Sequence, residues 1–445
     1  MNDFFQRRKK GMLFFFLLLT SVFTSAQSTV KDTLLQEVTL KSAVDYAIKF
    51  QPALRQSLID EQITASNIRS KLADWYPQVN FNYSLQHNFI LQSSIIGGNV
   101  VKFGVDNTSY GQFTLSQAIF NRDVLLAKRT RGDVQLQSRQ ATENNKIDLV
   151  ANVSKAFYDV LATEQQIKVA AENIVRLQRS LQDATNQYKA GVTDKIDYKR
   201  ATITLNNIKA SKKSNEELYK AKVEYLKSLM GYPETGNLNI VYDSLTMEKE
   251  IAIDTFQKPD YRARIEYRLL ETQRKLLQSS VLYNRWSYLP SVSANAAYNL
   301  NYQNNEFSKV YANNYPNSFA ALTFTVPLFQ GGKRKANIRT AELELLRSDQ
   351  DIINLKNNIN AQYAQALAAY KGSLESYLAL KENVAVAKEV YDVIQLQYRS
   401  GIKTYLEVIT AETDLRTSQI NYFNALYQVL ASKVDLQRTL GQLTY

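Results

Sequence analysis

The residues that could do chemistry are few and scattered. His87 is the only histidine in 445 residues, and there is no cysteine. His87 falls in a run that alternates polar and apolar residues, which is a strand pattern. One imidazole with no ligating neighbour does not make a metal site, which needs three or four convergent donors. It reads as a surface or girdle residue. Gly331-Gly332-Lys333 lacks the G-x-x-x-x-G-K-[ST] frame of a phosphate loop and reads as a corner between a strand and a helix. Glu342 and Glu344 stand at helical-surface spacing with no base or nucleophile beside them. Without cysteine, disulfides, thiolate metal sites and a lipid-modified N-terminus are excluded. The expectation is therefore no catalytic residue, no metal and no cofactor, so the elements around these residues must carry the function.

The chain opens like an exported protein. Arg7-Arg8-Lys9-Lys10 precede an eight-residue apolar run, Met12 to Leu19, and Thr24-Ser25-Ala26 supplies small residues for cleavage before Gln27. That run is far shorter than the ~20 residues a membrane span needs, and no other stretch is long and apolar enough. Residues 1–26 are read as a signal peptide. The formal net charge is +12, and the signal carries four Arg or Lys and one Asp, which leaves +9 on the mature chain. In a cytosolic protein such an excess would suggest nucleic acid. In an exported chain with cations spread along helices it reads as solvated faces, and no nucleic-acid partner is expected.

The chain is organised around a stretch that occurs twice. Gln187-Tyr188-Lys189-Ala190-Gly191-Val192-Thr193 returns 210 residues later as Gln397-Tyr398-Arg399-Ser400-Gly401-Ile402. An apolar ladder at spacings of three and four leads to each copy. The first is Ile167, Ala170, Ile174, Leu177, Leu181, Ala184, Tyr188, and the second is Tyr377, Leu380, Val384, Ala387, Tyr391, Ile394, Tyr398. Such a ladder is a coiled-coil seam. The glycine then stops the helix in a left-handed cap. A second helix leaves each tip and ends at Met230-Gly231 or Leu440-Gly441, again 210 apart.

Between the long helices the period changes to two. After a helical stretch from about Val38 to Leu72, broken at Gln51-Pro52, the run Gln78 to Leu85 alternates strictly. A polar loop is expected over about 91–109, then a returning strand with Phe113, Leu115 and Ile119 on one face. The second half repeats the order: Ser291 to Leu300, a loop over about 301–316, then Leu322, Phe324, Val326 and Leu328 alternating with Thr323 and Thr325. An apolar face rimmed with aromatics is what a membrane β-barrel shows. Val79, Phe81, Tyr83, Leu322 and Phe324 are thus expected to face lipid, and Asn80, Asn82, Thr323 and Thr325 to face water. Four strands cannot enclose a pore, because the smallest single-chain barrels use about eight. Other subunits must close the edges. About 68 helical residues follow each strand pair, enough for a helix roughly 100 Å long. Two structural repeats, 27–230 and 259–445, flank an irregular segment, 231–258, read as a cap or belt.

This order resembles the TolC-like outer-membrane efflux ducts over nearly the whole mature chain. Tyr288-Leu289-Pro290-Ser291 and Tyr76-Pro77-Gln78 look like the family's strand-opening motif, and Gln51-Pro52-Ala53-Leu54 like its early Asn-Pro-x-Leu element. Ile265-Glu266-Tyr267 departs from the usual Pro-acid pair. The resemblance implies a mixed fold: a membrane β-barrel of four strands per chain, closed by trimerisation into twelve strands, above a long α-helical coiled-coil barrel. It implies a homotrimer in the outer membrane of a Gram-negative bacterium, in contact with outer-membrane lipid. A large periplasmic portion would dock on a periplasmic adaptor (membrane fusion protein) and an inner-membrane pump. Gly191, Val192, Thr193, Gly401, Ile402 and Thr404 look like the adaptor-facing tips. Asp197, Tyr398, Lys403 and Glu407 match the family's periplasmic gate. The implied contacts are a hydrogen bond from Tyr398 to Asp197, an Asp197–Lys403 pair, and Glu407 lining the constriction. Lys403 replaces the family's Arg and Thr410 a second ring acid.

The function expected is passive conduction of exported substrates across periplasm and outer membrane, with no bond made or broken. A periplasmic coiled-coil scaffold without a pore is the alternative from another class. Within ducts, protein secretion stands beside small-molecule or metal efflux.

Overall fold

The computed structural model describes residue 35 and residues 37–241 and 244–443. The expected signal, 1–26, lies outside them. Helix α1 (Leu40–Phe50) opens on a capping box, with the Thr39 hydroxyl accepting from the Ser42 amide and the Ser42 hydroxyl accepting from that of Thr39. Gln51 is extended, and Pro52 starts α2 (Pro52–Ala73) where a missing N–H costs nothing. Strand β1 (Gln78–His87) follows. The expected loop at 91–109 is instead a second hairpin, β2 (Gln92–Ile96) and β3 (Asn99–Phe103), before β4 starts at Asn107 and runs to Phe120. Gly97 and Gly98, both at positive φ, make a two-residue turn between Ile96 and Asn99, with Ile95 opposite Val100, which is strong hairpin chemistry.

The long helices are α3 (Arg122–Lys189, 68 residues) and α4 (Lys195–Met230). The second half gives α6 (Ile265–Arg285), β5 (Ser291–Asn304), β6 (Asn317–Thr325), α7 (Lys333–Arg399, 67 residues) and α8 (Tyr405–Leu440). Val326 and Leu328 lie beyond the end of β6, because Pro327 has no amide for a ladder. The segment expected to be irregular holds a short helix, α5 (Ser244–Glu250), and a parallel bridge from Ile240 to Val38. Met247 and Ile251 are buried in the main core, so this segment is packed rather than loose.

The main core lies at mid-height. It joins α1, the middle of α3, the end of α4, α7 and the end of α8 through fully buried side chains such as Phe157, Leu161, Leu226, Leu430 and Tyr370. Each large apolar side chain there contributes about 1.5–3 kcal/mol. Two glycines hold it at corresponding points. Gly231 (φ 66°) caps α4, and a Cβ on it would sit 2.8 Å from the Phe50 carbonyl oxygen. Gly441 (φ 70°) caps α8, and a Cβ would sit 2.9 Å from Ala263. Both helix ends therefore press on the chain just ahead of a repeat's next helix. Where the Pro-acid pair is absent, Arg264 takes over the start of α6. Its side chain is buried and binds both oxygens of Glu266, at 3.0 and 2.8 Å, and the Thr439 carbonyl at 3.3 Å.

Candidate functional site

The four long strands form one antiparallel sheet in the order β1-β4-β5-β6. The register decides which side chains share a face. Val79 pairs with Leu115, which pairs with Ala296; Phe81 pairs with Phe113, which pairs with Tyr298. Leu322 lies opposite Ala294 and Phe324 opposite Val292, on that same face. All five residues expected to meet lipid thus share one side, and all are more than half exposed in the single chain. The other face carries Asn80–Thr114, Asn82–Gln112–Asn299–Asn317 and Ser293–Thr323. Both outer edges, β1 and β6, lack a partner among the described residues. Such edges are open to other chains. His87 ends β1 and bonds Asn107 through Nδ1 at 2.7 Å, and no metal-holding cluster occurs among the described residues. No described helix is long and apolar enough to cross a membrane.

At the far end, both tips close in the same way. Gly191 (φ 74°) and Gly401 (φ 76°) are left-handed. The Val192 amide donates to the Gln187 carbonyl at 3.0 Å, and the Ile402 amide to that of Gln397 at 2.9 Å, which is the Schellman pattern. Thr193 and Thr404 lie one residue beyond Val192 and two beyond Ile402 in these turns. Val192 and Ile402 project into solvent at 73 and 72 % exposure, so each tip presents an uncovered aliphatic side chain. Behind the turns, Ala184, Ala201, Tyr398, Tyr405 and Val408 form one buried cluster drawn from all four long helices. The two hairpins are therefore bolted together at their ends.

The residues expected to form a gate lie around this cluster, but two contacts expected of them take other partners within the chain. The Tyr398 hydroxyl donates to Gln187 Oε1 at 2.8 Å rather than to Asp197. Burial pushes Tyr398 up to about 12, and the nearby Asp197 charge adds to this. Lys403 pairs with Glu407 at 2.6 Å rather than with Asp197. The reason is local: Glu407 is one turn away on the same chain, and its other oxygen already caps α8 by accepting from the Thr404 amide at 2.9 Å. Lys403 and this cap hold the Glu407 carboxyl down at about 2. Asp197 makes no side-chain hydrogen bond or ion pair among the described residues.

The chain matches the pattern of the outer membrane efflux proteins over residues 43–232 and 268–442. The chain belongs to that family. It is 21 % identical to outer membrane protein TolC of Salmonella enteritidis over 92 % of this chain and 83 % of that one. It is 22 % identical to outer membrane protein OprJ of Pseudomonas aeruginosa over 90 and 84 %. The crystal structure of the Campylobacter jejuni CmeC outer membrane channel shares the fold, with a TM-score of 0.73 at 15 % identity over 91 and 85 % of the two chains. The outer membrane efflux family is one of channels, and an exit duct in the outer membrane is the role its members share with this chain.

Within an efflux duct, the structure also brings forward residues that sequence reading passed over. Gln187 opens the first copy of the repeated stretch, and it also links the two hairpins. Tyr405, Val408, Glu412, Leu415 and Gln419 stand at spacings of three and four along α8, so Glu412 occupies a seam position. It is 2 % exposed, and Arg176 Nε of α3 lies 3.6 Å from Oε1, an ion-pair distance too long for a hydrogen bond. A carboxylate inside an otherwise apolar heptad was the available signal.

Proposed function

We propose that three copies of this chain close a twelve-stranded barrel and, below it, a helical tunnel that ends at the paired tips. Within each copy, repeats 27–230 and 259–445 flank an equatorial belt, 231–258. The observation that carries this reading is the sheet itself: one apolar face, one polar face, and two bare edges on four strands. Lipid would cover the apolar face and water the polar one, and only neighbouring copies can satisfy the edges inside a membrane. Substrates would move through the polar lumen from an inner-membrane pump. The tips, through Gly191, Val192, Thr193, Gly401, Ile402 and Thr404, would meet a periplasmic adaptor.

The gate reading rests on the tip geometry. Tyr398–Gln187 ties one hairpin to the other, and Asp197 remains available to Lys403 or Tyr398 of an adjacent subunit. An exposed ion pair contributes at most ~1 kcal/mol, so closure would need several such links repeated by symmetry. Single-channel conductance in planar bilayers tests it. Tyr398→Phe combined with Lys403→Ser, and separately Gln187→Leu, should each raise conductance above wild type. Unchanged conductance in both would remove these residues from the gate. Recovery of the protein as a fully soluble periplasmic species would instead favour a scaffold.

A further inference from the structure

All four strand–helix joins lie at one end of the antiparallel sheet: the start of β1, the end of β4, the start of β5 and the end of β6. Several of them meet around a cleft of about 290 Å³ lined by Phe120, Arg122, Trp286, Thr325 and Gln330. The stretches that form the joins, 66–76, 121–132, 276–290 and 326–340, hold eleven Arg or Lys against two acids, Asp74 and Asp123, and Glu342 just past the last stretch pairs with Arg285 and Arg339. That excess of nine equals the whole excess of residues 27–445, so the remainder of the exported chain is neutral in sum. The net positive charge is therefore concentrated in a collar at this end of the sheet.

Two further observations say what the collar meets. First, it is interleaved with aromatic and apolar side chains. The Arg122 guanidinium lies 4.6 Å from the Tyr283 ring centre, Arg334 5.0 Å from Tyr288, and the Lys128 ammonium 5.6 Å from Trp75. Leu328 and Phe329, each 89 % exposed, stand just ahead of Lys333-Arg334-Lys335. Second, the outermost cations are not engaged in ion pairs. Arg129, Arg131, Lys333 and Lys335 are exposed and form no ion pair among the described residues.

We propose that this collar binds the headgroups of anionic phospholipids in the leaflet on the helical side of the sheet. The proposal rests on the outer-membrane duct reading. Apolar side chains beside the sheet would enter the acyl region, the aromatic rings would sit at its boundary, and the cations one to two turns further would reach phosphate. A diester phosphate satisfies unpaired Lys and Arg without competing for the sheet's apolar face, and the nearby rings keep several of the cations extended along the surface. Leu322 and Phe324 mark the sheet's apolar face, and the exposed Leu328 and Phe329 set further apolar side chains beside the Lys333 cluster, which favours the outside of the barrel over its lumen.

The test uses the full-length protein in nanodiscs of equal parts phosphatidylcholine and phosphatidylglycerol, with the lipid bound to the protein quantified by native mass spectrometry. Wild type should retain phosphatidylglycerol over phosphatidylcholine. The variant Arg129→Gln, Arg131→Gln, Lys333→Gln, Lys335→Gln should lose that preference by about tenfold or more. A variant with the same charge loss far from the collar, Lys199→Gln, Lys209→Gln, Lys213→Gln, Lys220→Gln, should keep it. Preference retained in the collar variant, or lost equally in the remote one, overturns the proposal. So does an unchanged lipid preference accompanied by altered anion selectivity of the pore, which would place these cations in the lumen. Insertion with no lipid preference in wild type overturns the collar alone, whereas failure to insert in either lipid overturns the duct reading with it.

Discussion

Replacing Glu412 by Gln should strengthen the seam between the two hairpins at high pH and leave it unchanged at low pH. Glu412 faces Arg176 of α3, with Tyr391 of α7 and Tyr405 close enough to feel its charge and Arg416 one turn along α8. Neither carboxylate oxygen has a hydrogen-bond partner among the described residues, and neither Nε nor Nη2 of Arg176 has one. Burial is the dominant influence, and it pushes the carboxyl up to about 7 against the pull of the two arginines. The displacement from an ordinary 4.5 corresponds to about 3 kcal/mol. The native state holds this proton more tightly than the unfolded chain does. Stability is therefore fully present below about 4.5, falls as pH rises through the window to about 7, and is flat above it. Gln resembles the protonated acid at every pH. Amide hydrogen exchange of the tip-proximal half of α8, corrected for the intrinsic rate, reads the local opening of this seam. At pH 8 the variant should exchange on the order of a hundredfold more slowly than wild type, and at pH 4 the two should agree. Faster exchange in the variant at pH 8 would mean that Glu412 is ionised and usefully paired with Arg176, and the reasoning would fail. An equal gain at both pH values would refute it as well.

Three other outcomes are expected. Phe324→Arg should impair insertion into vesicles by ~2–4 kcal/mol while Thr323→Arg costs much less, because the register puts these neighbours on opposite faces; equal insertion would show that the faces are misassigned. Gly231→Ala should lower stability by about 2–4 kcal/mol through backbone strain and the clash with Phe50, whereas Gly191→Ala, with nothing within 4 Å of its Cβ, should cost only about 1–2. Thermal melting in detergent distinguishes them, and equal shifts would refute the close-approach argument. Arg264→Met should loosen the start of α6 by roughly 1–3 kcal/mol, since it leaves the Thr439 carbonyl and Glu266 unanswered; an unchanged melting curve would deny Arg264 that structural role.

What could be read from the chain alone was whatever depends on neighbours in sequence. The tip glycines, the three-and-four ladders, Pro52 at a helix start and the two-residue alternation of β1 all act within a few positions, and the structure carries each of them. The β2–β3 hairpin was also local. Its Gly97-Gly98 turn lay beside the apolar pair Ile95 and Val100, but the polar composition around it masked the pattern. The side-chain partners were harder. Tyr398 and Gln187 are 211 residues apart, and only the packing of hairpin on hairpin decides that Gln187 rather than Asp197 meets the hydroxyl. Lys403 had a partner one turn away, and the α8 cap fixed Glu407 in place for it. Glu412 could have been found from its heptad position, although its displaced acidity comes from tertiary burial that no spacing reveals.

The central pairing of the sheet has a consequence in time. Ser116 of β4 lies against Asn295 of β5, and the chain between them contains α3, α4, α5 and α6. Contacts that close so long a loop form late, whereas the β1–β4 hairpin and the α3–α4 hairpin need only nearby chain. During export the first repeat can therefore fold while the second is still arriving. It must then wait with its strands' apolar face and both edges unshielded until β5 comes through. The vulnerable species is this half-arrived chain, aggregation-prone through those strands. Its exposure over that interval is set by the topology of the sheet, separately from the strength of any contact in the finished molecule.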